Sequence, residues 1–277
     1  MKVRFKSLVE RHQYLKAAPN FLTLCNSLCG FAAILYTLRA YELASADNSL
    51  GAGIFAVSAW VILGAMIFDA LDGFVARLLN AASMHGVQMD SLADMVTFGV
   101  APATVVAIMT HTLRGTMSRN QEIIVYLLCS VYLGCAAIRL ATYNVHAILN
   151  KKSSDKFAGL PSPGAAAAIC SVVLFAESAK ISMSTLAMFL PYYAAFLGLL
   201  MVSSIPYTHF GKWLTTLRRN RQRQFAAVVM LVIVLVFKGT GVLLLMTAYV
   251  LSGPVGMLLS GLRHKMGGPA AEAGRTN

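Results

Sequence analysis

Apolar runs close to the length of a bilayer crossing recur along this chain, and they constrain its fold more than any other feature. A hydrocarbon core of ~30 Å takes about 20 helical residues to span, and its lack of water obliges each crossing segment to satisfy its own backbone hydrogen bonds. Runs at about 20–40, 51–79, 89–112, 122–148, 164–181, 184–204, 222–238 and 240–262 meet that length. The reading is therefore an all-α, polytopic membrane protein of about eight transmembrane helices. The seventh run holds only 13 uninterrupted apolar residues (225–237) before Lys238-Gly239-Thr240-Gly241, and could pair with the eighth as a tight hairpin. Composition agrees, because 57% hydrophobic against 12% charged residues is too apolar for an ordinary soluble domain.

The charges that remain are distributed unevenly. Lys2, Arg4, Lys6, Arg11 and Lys16 alternate with Val3, Phe5, Leu8, Val9 and Leu15, the pattern of a basic amphipathic helix on a membrane surface, with Pro19 marking the start of the first span. This segment is too charged for a cleavable signal peptide and is expected to remain in the mature protein. With eight spans, 18 Lys and Arg fall on the side of the termini and 5 on the other, which predicts cytoplasmic termini. The net charge of +12 is thus read as topology and attraction to anionic lipid, not as a nucleic-acid surface. The five cysteines lie in apolar runs and are read as small hydrophobes.

Against this background the stretch from Phe68 to Phe98 is anomalous, because it carries Asp69, Asp72, Asp90 and Asp94 in the flanks of two hydrophobic segments. An unpaired carboxylate at the bilayer centre costs about 2.5–3.5 kcal/mol, so four would cost on the order of 10 kcal/mol. The charge asymmetry moves them to the cytoplasmic edge. On helices, the i,i+3 pair Asp69/Asp72 and the i,i+4 pair Asp90/Asp94 each occupy one face, so two facing helices would converge all four. Such a set of hard oxygen ligands suits Mg²⁺, Mn²⁺ or Ca²⁺ and, through open coordination positions, substrate phosphates. His85 lies in the intervening turn and is not read as a ligand. Gly73 and Ala76 keep the adjoining face shallow, Arg77 offers a planar donor set for phosphate, and Gly86 could break the first helix and let the second pack closely.

The pattern Asp69-x2-Asp72-Gly73-x2-Ala76-Arg77-x8-Gly86-x3-Asp90-x3-Asp94 resembles, position for position, the signature of the CDP-alcohol phosphatidyltransferase family. That resemblance implies a six-helix core, and here two extra C-terminal transmembrane helices. It implies two divalent cations, Mg²⁺ or Mn²⁺, held by Asp69, Asp72, Asp90 and Asp94, with Asp94 also the catalytic base. Gly73, Ala76 and Arg77, with Asn20, Thr23 and Asn26, are the implied nucleotide contacts. The implied reaction displaces CMP from a CDP-linked lipid, and the implied assembly is a homodimer in the bacterial cytoplasmic (inner) membrane with the site on the cytoplasmic side. The expected organisation is a basic segment at 1–19, the catalytic core at 20–211, a basic loop with the two extra helices at 212–262 and a polar tail at 263–277.

Three further stretches resemble the branch of that family whose acceptor is serine. They are Pro19-Asn20-x2-Thr23-x2-Asn26-x2-Cys29-Gly30, Arg139-Leu140-Ala141-x-Tyr143-Asn144 and Phe157-x-Gly159-Leu160-Pro161-Ser162-Pro163, with Ile205-Pro206-Tyr207 after the sixth span. Thr142 departs from the pattern, standing where many relatives have a second arginine. The implied reaction is transfer of a phosphatidyl group from CDP-diacylglycerol to L-serine, with release of CMP. Arg139, at or within the membrane, is a candidate for the serine carboxylate together with Lys156, while Asn144 and Ser162 would help orient the acceptor. The alternative for Arg139 is structural pairing with an aspartate or a lipid phosphate. Glycerol 3-phosphate or inositol phosphate as acceptor would need extra cations for the second phosphate. A transporter or cation channel would also place carboxylates in a membrane, but it leaves Gly73, Arg77 and the spacing without a role.

Overall fold

The computed structural model of the protein describes residues 2–44, 48–79, 83–115, 117–149, 159–179, 183–207 and 221–266. All regular structure among them is helical: α1 Lys2–Ala44, α2 Asn48–Leu78, α3 Met84–Asp94, a π-helical turn Met95–Val100, α4 Ala101–Leu113, α5 Arg119–Leu149, α6 Ser162–Ser178, α7 Met183–Val202 and α8 Arg221–Met266. Six segments are long and apolar enough to cross a bilayer, namely Pro19–Ala44, Gly53–Leu78, Met84–Leu113, Arg119–Val145, Thr185–Val202 and Val236–Leu258. The molecule is a multi-pass membrane protein. Large apolar side chains such as Phe21, Leu28, Phe31, Leu127 and Ile138 stand exposed on its flanks, where lipid is the solvent.

Two of the eight expected spans take a different form. The fifth is α6, only 17 residues long. Its run Ala165-Ala166-Ala167-Ala168-Ile169-Cys170-Ser171 is wholly buried, so α6 is an internal helix around which α2, α7 and α8 gather. A helix that is apolar all round buries all round, and an alanine surface lets neighbours approach closely. The seventh, expected at 222–238, is helical in backbone, but its side chains up to 235 lie outside those described. It joins the last span at Lys238, whose φ of 44° and ψ of −122° interrupt the helix at the Lys-Gly-Thr-Gly sequence. Pro19 begins the first span, as expected, within one continuous helix.

Close approaches fix the helices that carry the acidic residues. A Cβ on Gly30 of α1 would lie 2.5 Å from Thr97 Oγ1 and 2.8 Å from Thr97 Cα, so α1 and the π-turn touch backbone to backbone. Thr97 Oγ1 donates to the Asn26 carbonyl at 2.9 Å across the same contact. A π-turn inserts a residue into the helical repeat, resetting the register between the polar face of α3 and the apolar face of α4. The Ala101 amide bonds back to Val96, five residues away. The carbonyl of Phe98, also in this turn, accepts from the buried Tyr132 hydroxyl of α5 at 2.7 Å.

Candidate active site

The site grows from the ends of α2 and α3 and the middle of α1. α2 presents Asp69 and Asp72 in its last turns, and α3 presents Asp90 and Asp94. The span of α1 begins with Asn20, Thr23 and Asn26, three residues apart and therefore near one face. Ser83 starts α3: its backbone is extended (φ −134°, ψ 153°) and its Oγ accepts from the Gly86 amide at 3.0 Å, satisfying one of the free donors of the first turn. Gly86 consequently sits inside α3 and does not end α2, which stops at Leu78. Its close-packing role holds, since a Cβ there would lie 3.2 Å from Ser83 Oγ and 3.6 Å from Asn20 Oδ1.

Carboxylate oxygens of Asp69, Asp72 and Asp90 lie within 4.8 Å of one another. At an effective dielectric of ~20, two charges at that separation repel by about 3 kcal/mol, so three ionised groups need a compensating charge. No salt bridge among the described residues reaches the trio, since Arg39–Glu42 and His111–Glu122 lie elsewhere, and the exposed Arg77 acts on Asp72 only at longer range. Asp90 Oδ1 is buried without any hydrogen-bond donor. Convergent carboxylates, an orphaned acceptor and the lack of a salt bridge to the trio among the described residues together fit a divalent cation bound by hard oxygen ligands.

Residues of α1 hold this acidic set in place. Thr23 and Asp72 are both 4% exposed. Thr23 Oγ1 lies 2.9 Å from Asp72 Oδ2 and 3.1 Å from the Pro19 carbonyl. With a single proton to donate, it serves the carboxylate, the stronger acceptor. Asn26 Nδ2 donates to Asp94 Oδ1 at 3.1 Å. Asp94 thus stands one helical turn beyond Asp90, outside the close trio, and is oriented by α1.

A cavity of about 150 Å³ opens beside the trio between α1, α2 and α3, lined by Asn20, Thr23, Asp72, Gly73, Ala76 and Asp90 among others. Four of the six expected nucleotide contacts therefore share one space with two of the expected metal ligands. A Cβ on Gly73 would meet only the Arg77 guanidinium, at 3.9 Å, so that face is open. Arg77 is exposed beside it, whereas Asn26 is fully buried against Asp94 and does not line the cavity.

The residues expected to hold the acceptor are divided between two contacts. Arg139 Nη1 donates to Ser162 Oγ at 2.7 Å, and Arg139 Nε is buried without an acceptor. Ser162 opens α6, whose start is set by the preceding loop. Gly159, at φ 90°, donates its amide to Ile205 at 2.8 Å, and the Leu160 amide donates to Leu200 at 3.0 Å. A side chain on Gly159 would run into the Met201 carbonyl, so only glycine fits. Asn144 Oδ1 accepts from Ser91 Oγ at 2.7 Å, tying α5 to α3 between Asp90 and Asp94. Arg139 lies within electrostatic reach of Asp94, and Tyr143 within reach of Asp90, Arg139, Asp94 and Arg77. Lys156 lies outside the described residues. Ser91, Thr97, Tyr132 and Tyr143 escaped prediction as site residues. Ser91, next to Asp90, and Tyr143, inside the Arg139–Asn144 stretch, offered a signal by position, whereas the contacts of Thr97 and Tyr132 join helices distant in sequence.

Fold and site define a multi-pass helical membrane protein with a carboxylate centre suited to a divalent cation. More particularly, the chain belongs to the CDP-alcohol phosphatidyltransferase family, whose sequence model matches residues 16–202. It is 33% identical over 195 residues to the CDP-diacylglycerol–serine O-phosphatidyltransferase of Helicobacter pylori, covering 70% of this chain and 73% of that protein. The Bacillus subtilis protein of the same name is 32% identical over 198 residues, covering 70% and 91%. The archaetidylserine synthase of Methanothermobacter thermautotrophicus is 31% identical over 197 residues, covering 69% of each.

Proposed function

We propose that this transferase moves the phosphatidyl group of CDP-diacylglycerol to the hydroxyl of L-serine, forming phosphatidylserine and releasing CMP. The observation that carries the choice of acceptor is the Arg139–Ser162 pair at the first turn of α6, within reach of Asp94. The helix N-terminus and the guanidinium favour an anionic group; this one cation suits the single carboxylate of serine, whereas glycerol 3-phosphate or inositol phosphate would need extra cations for the second phosphate. The serine-named relatives support the same acceptor.

Asp69, Asp72 and Asp90, with Asp94 at their edge, would hold two divalent cations, Mg²⁺ or Mn²⁺, which when bound neutralise the diphosphate and the departing CMP. Thr23 fixes Asp72, and Asn26 fixes one oxygen of Asp94, leaving the other for the acceptor. That oxygen takes the serine hydroxyl proton as the serine oxygen bonds to the phosphorus bearing diacylglycerol. The bond from this phosphorus to CMP breaks, and Asp94 returns its proton to solvent. A carboxylate is a weak base for a hydroxyl, so alignment by Arg139 and Ser162 supplies much of the rate. Gly73, Ala76 and Asn20 shape the nucleotide cavity, with Arg77 directed at its phosphates. Lys156 and Asn144 complete the acceptor side. The charge asymmetry supports a site at the cytoplasmic face, and the family resemblance favours a homodimer in a bacterial inner membrane.

Purified protein supplied with CDP-diacylglycerol and Mg²⁺ or Mn²⁺ should release CMP when serine is added. Glycerol 3-phosphate and inositol should leave CMP near background. Turnover with either of these and none with serine would refute the acceptor.

A further inference from the structure

The family match ends at residue 202, yet the last helix sends a side chain back to the acceptor residues. Tyr249 of α8 packs on the first turn of α6: a Cβ on Gly164 would lie 2.9 Å from Tyr249 Cε1, so glycine is what admits the ring. Gly164 is two residues from Ser162, the partner of Arg139. Tyr249 also lies within electrostatic reach of Arg139.

The ring is held there from several sides. Tyr207, 7% exposed, packs its ring against Tyr249 with centroids 5.9 Å apart at 51°. Its hydroxyl donates to the Val250 carbonyl at 2.9 Å, pinning the neighbouring residue of α8. Gly253 lies against the face of Tyr207, where a Cβ would come within 2.5 Å of Cζ. Gly239, just after the Lys238 break, abuts the Leu174 carbonyl and Ser178 of α6. Helix α8 is thus seated on α6 at Gly239 and, through Tyr249, at Gly164, and on Tyr207 at Gly253, so Tyr249 falls between Gly239 and Gly253.

We infer that Tyr249 is a specificity-determining residue of the acceptor pocket, its ring closing the side of the Arg139–Ser162 pair and its hydroxyl helping to place the Arg139 guanidinium. This rests on the reading that Arg139 and Ser162 receive the acceptor. The C-terminal helix is then part of the catalytic unit.

The test uses the full chain in detergent with CDP-diacylglycerol and Mn²⁺, following CMP release for wild type, Tyr249→Phe and Tyr249→Ala. Tyr249→Phe keeps the ring and removes only the hydroxyl inferred to help place Arg139. It should raise the KM for serine on the order of tenfold with the KM for CDP-diacylglycerol unchanged. Tyr249→Ala should also raise the relative use of threonine and homoserine over serine by at least about tenfold, the low end for one methylene's worth of opened pocket. The inference is overturned if both variants keep the wild-type serine KM and acceptor ranking. It is equally overturned if both substrate KM values rise in parallel with a fall in thermal midpoint, the mark of a merely structural role. Should Tyr249→Ala fail to fold, the KM split in Tyr249→Phe decides alone. If wild type turns over another acceptor and not serine, the proposed function fails separately, and the split is then read on the acceptor actually used.

Discussion

Thr23→Val isolates one hydrogen bond of the carboxylate centre. Valine matches threonine in shape, so helix packing is preserved while the 2.9 Å bond from Oγ1 to Asp72 Oδ2 is lost between two residues each 4% exposed. A buried hydrogen bond to a charged acceptor contributes about 1.5–3 kcal/mol, and ~1.4 kcal/mol is a factor of ten. If the bond serves to present Asp72 to a cation, the midpoint of a Mn²⁺ or Mg²⁺ titration should rise about 10–100-fold. That is also the usual range for a group that orients a metal ligand. The assay is CMP release against metal concentration at saturating lipid and serine, with the thermal midpoint confirming the fold. At saturating metal much of the activity should return. An unchanged metal midpoint would refute the reasoning and would mean that the hydroxyl proton goes to the Pro19 carbonyl. So would a loss of kcat that no metal concentration relieves.

Asp94→Asn keeps the side-chain volume and removes the base, so CMP release should fall about 10²–10⁴-fold; activity near wild type would end its role as proton acceptor. Arg139→Lys replaces a planar fork with a point charge and should raise the serine KM about tenfold without altering the KM for CDP-diacylglycerol, as separate titrations of the two substrates will show. Gly30→Ala drives a methyl into Thr97 and should destabilise the protein by about 1–3 kcal/mol, read as a lower thermal midpoint in detergent. Gly53→Ala, where an added Cβ meets nothing within 4 Å, is the control and should leave the midpoint unchanged.

Much of the site was legible because its parts are local. Asp69 and Asp72 share one helix face by spacing alone, and so do Asp90 and Asp94, so the acidic centre could be read without knowing how α2 meets α3. The same holds for the Lys238-Gly239 break, which the sequence marks with two glycines in four residues and the backbone realises with a positive φ at Lys238. What spacing could not show arises where helix meets helix: Asp94 accepts a hydrogen bond from Asn26, 68 residues away, and the Asn144 oxygen accepts from Ser91 of another helix. The π-turn left no periodic trace, because a single inserted residue shifts an apolar pattern by less than the width of an apolar face.

By itself, then, the sequence determined a multi-pass helical membrane protein and the chemical character of its centre. Apolar run length and the spacing of carboxylates along a helix are properties of one segment at a time. Tertiary structure alone decided which three aspartates converge, which α1 side chains orient them, that α6 is an interior helix, and that α8 returns Tyr249 to the start of α6. Those outcomes depend on interhelical distance, set by glycines and alanines whose lack of side chain lets backbones touch. A small residue shows in a sequence, but the helix it admits does not.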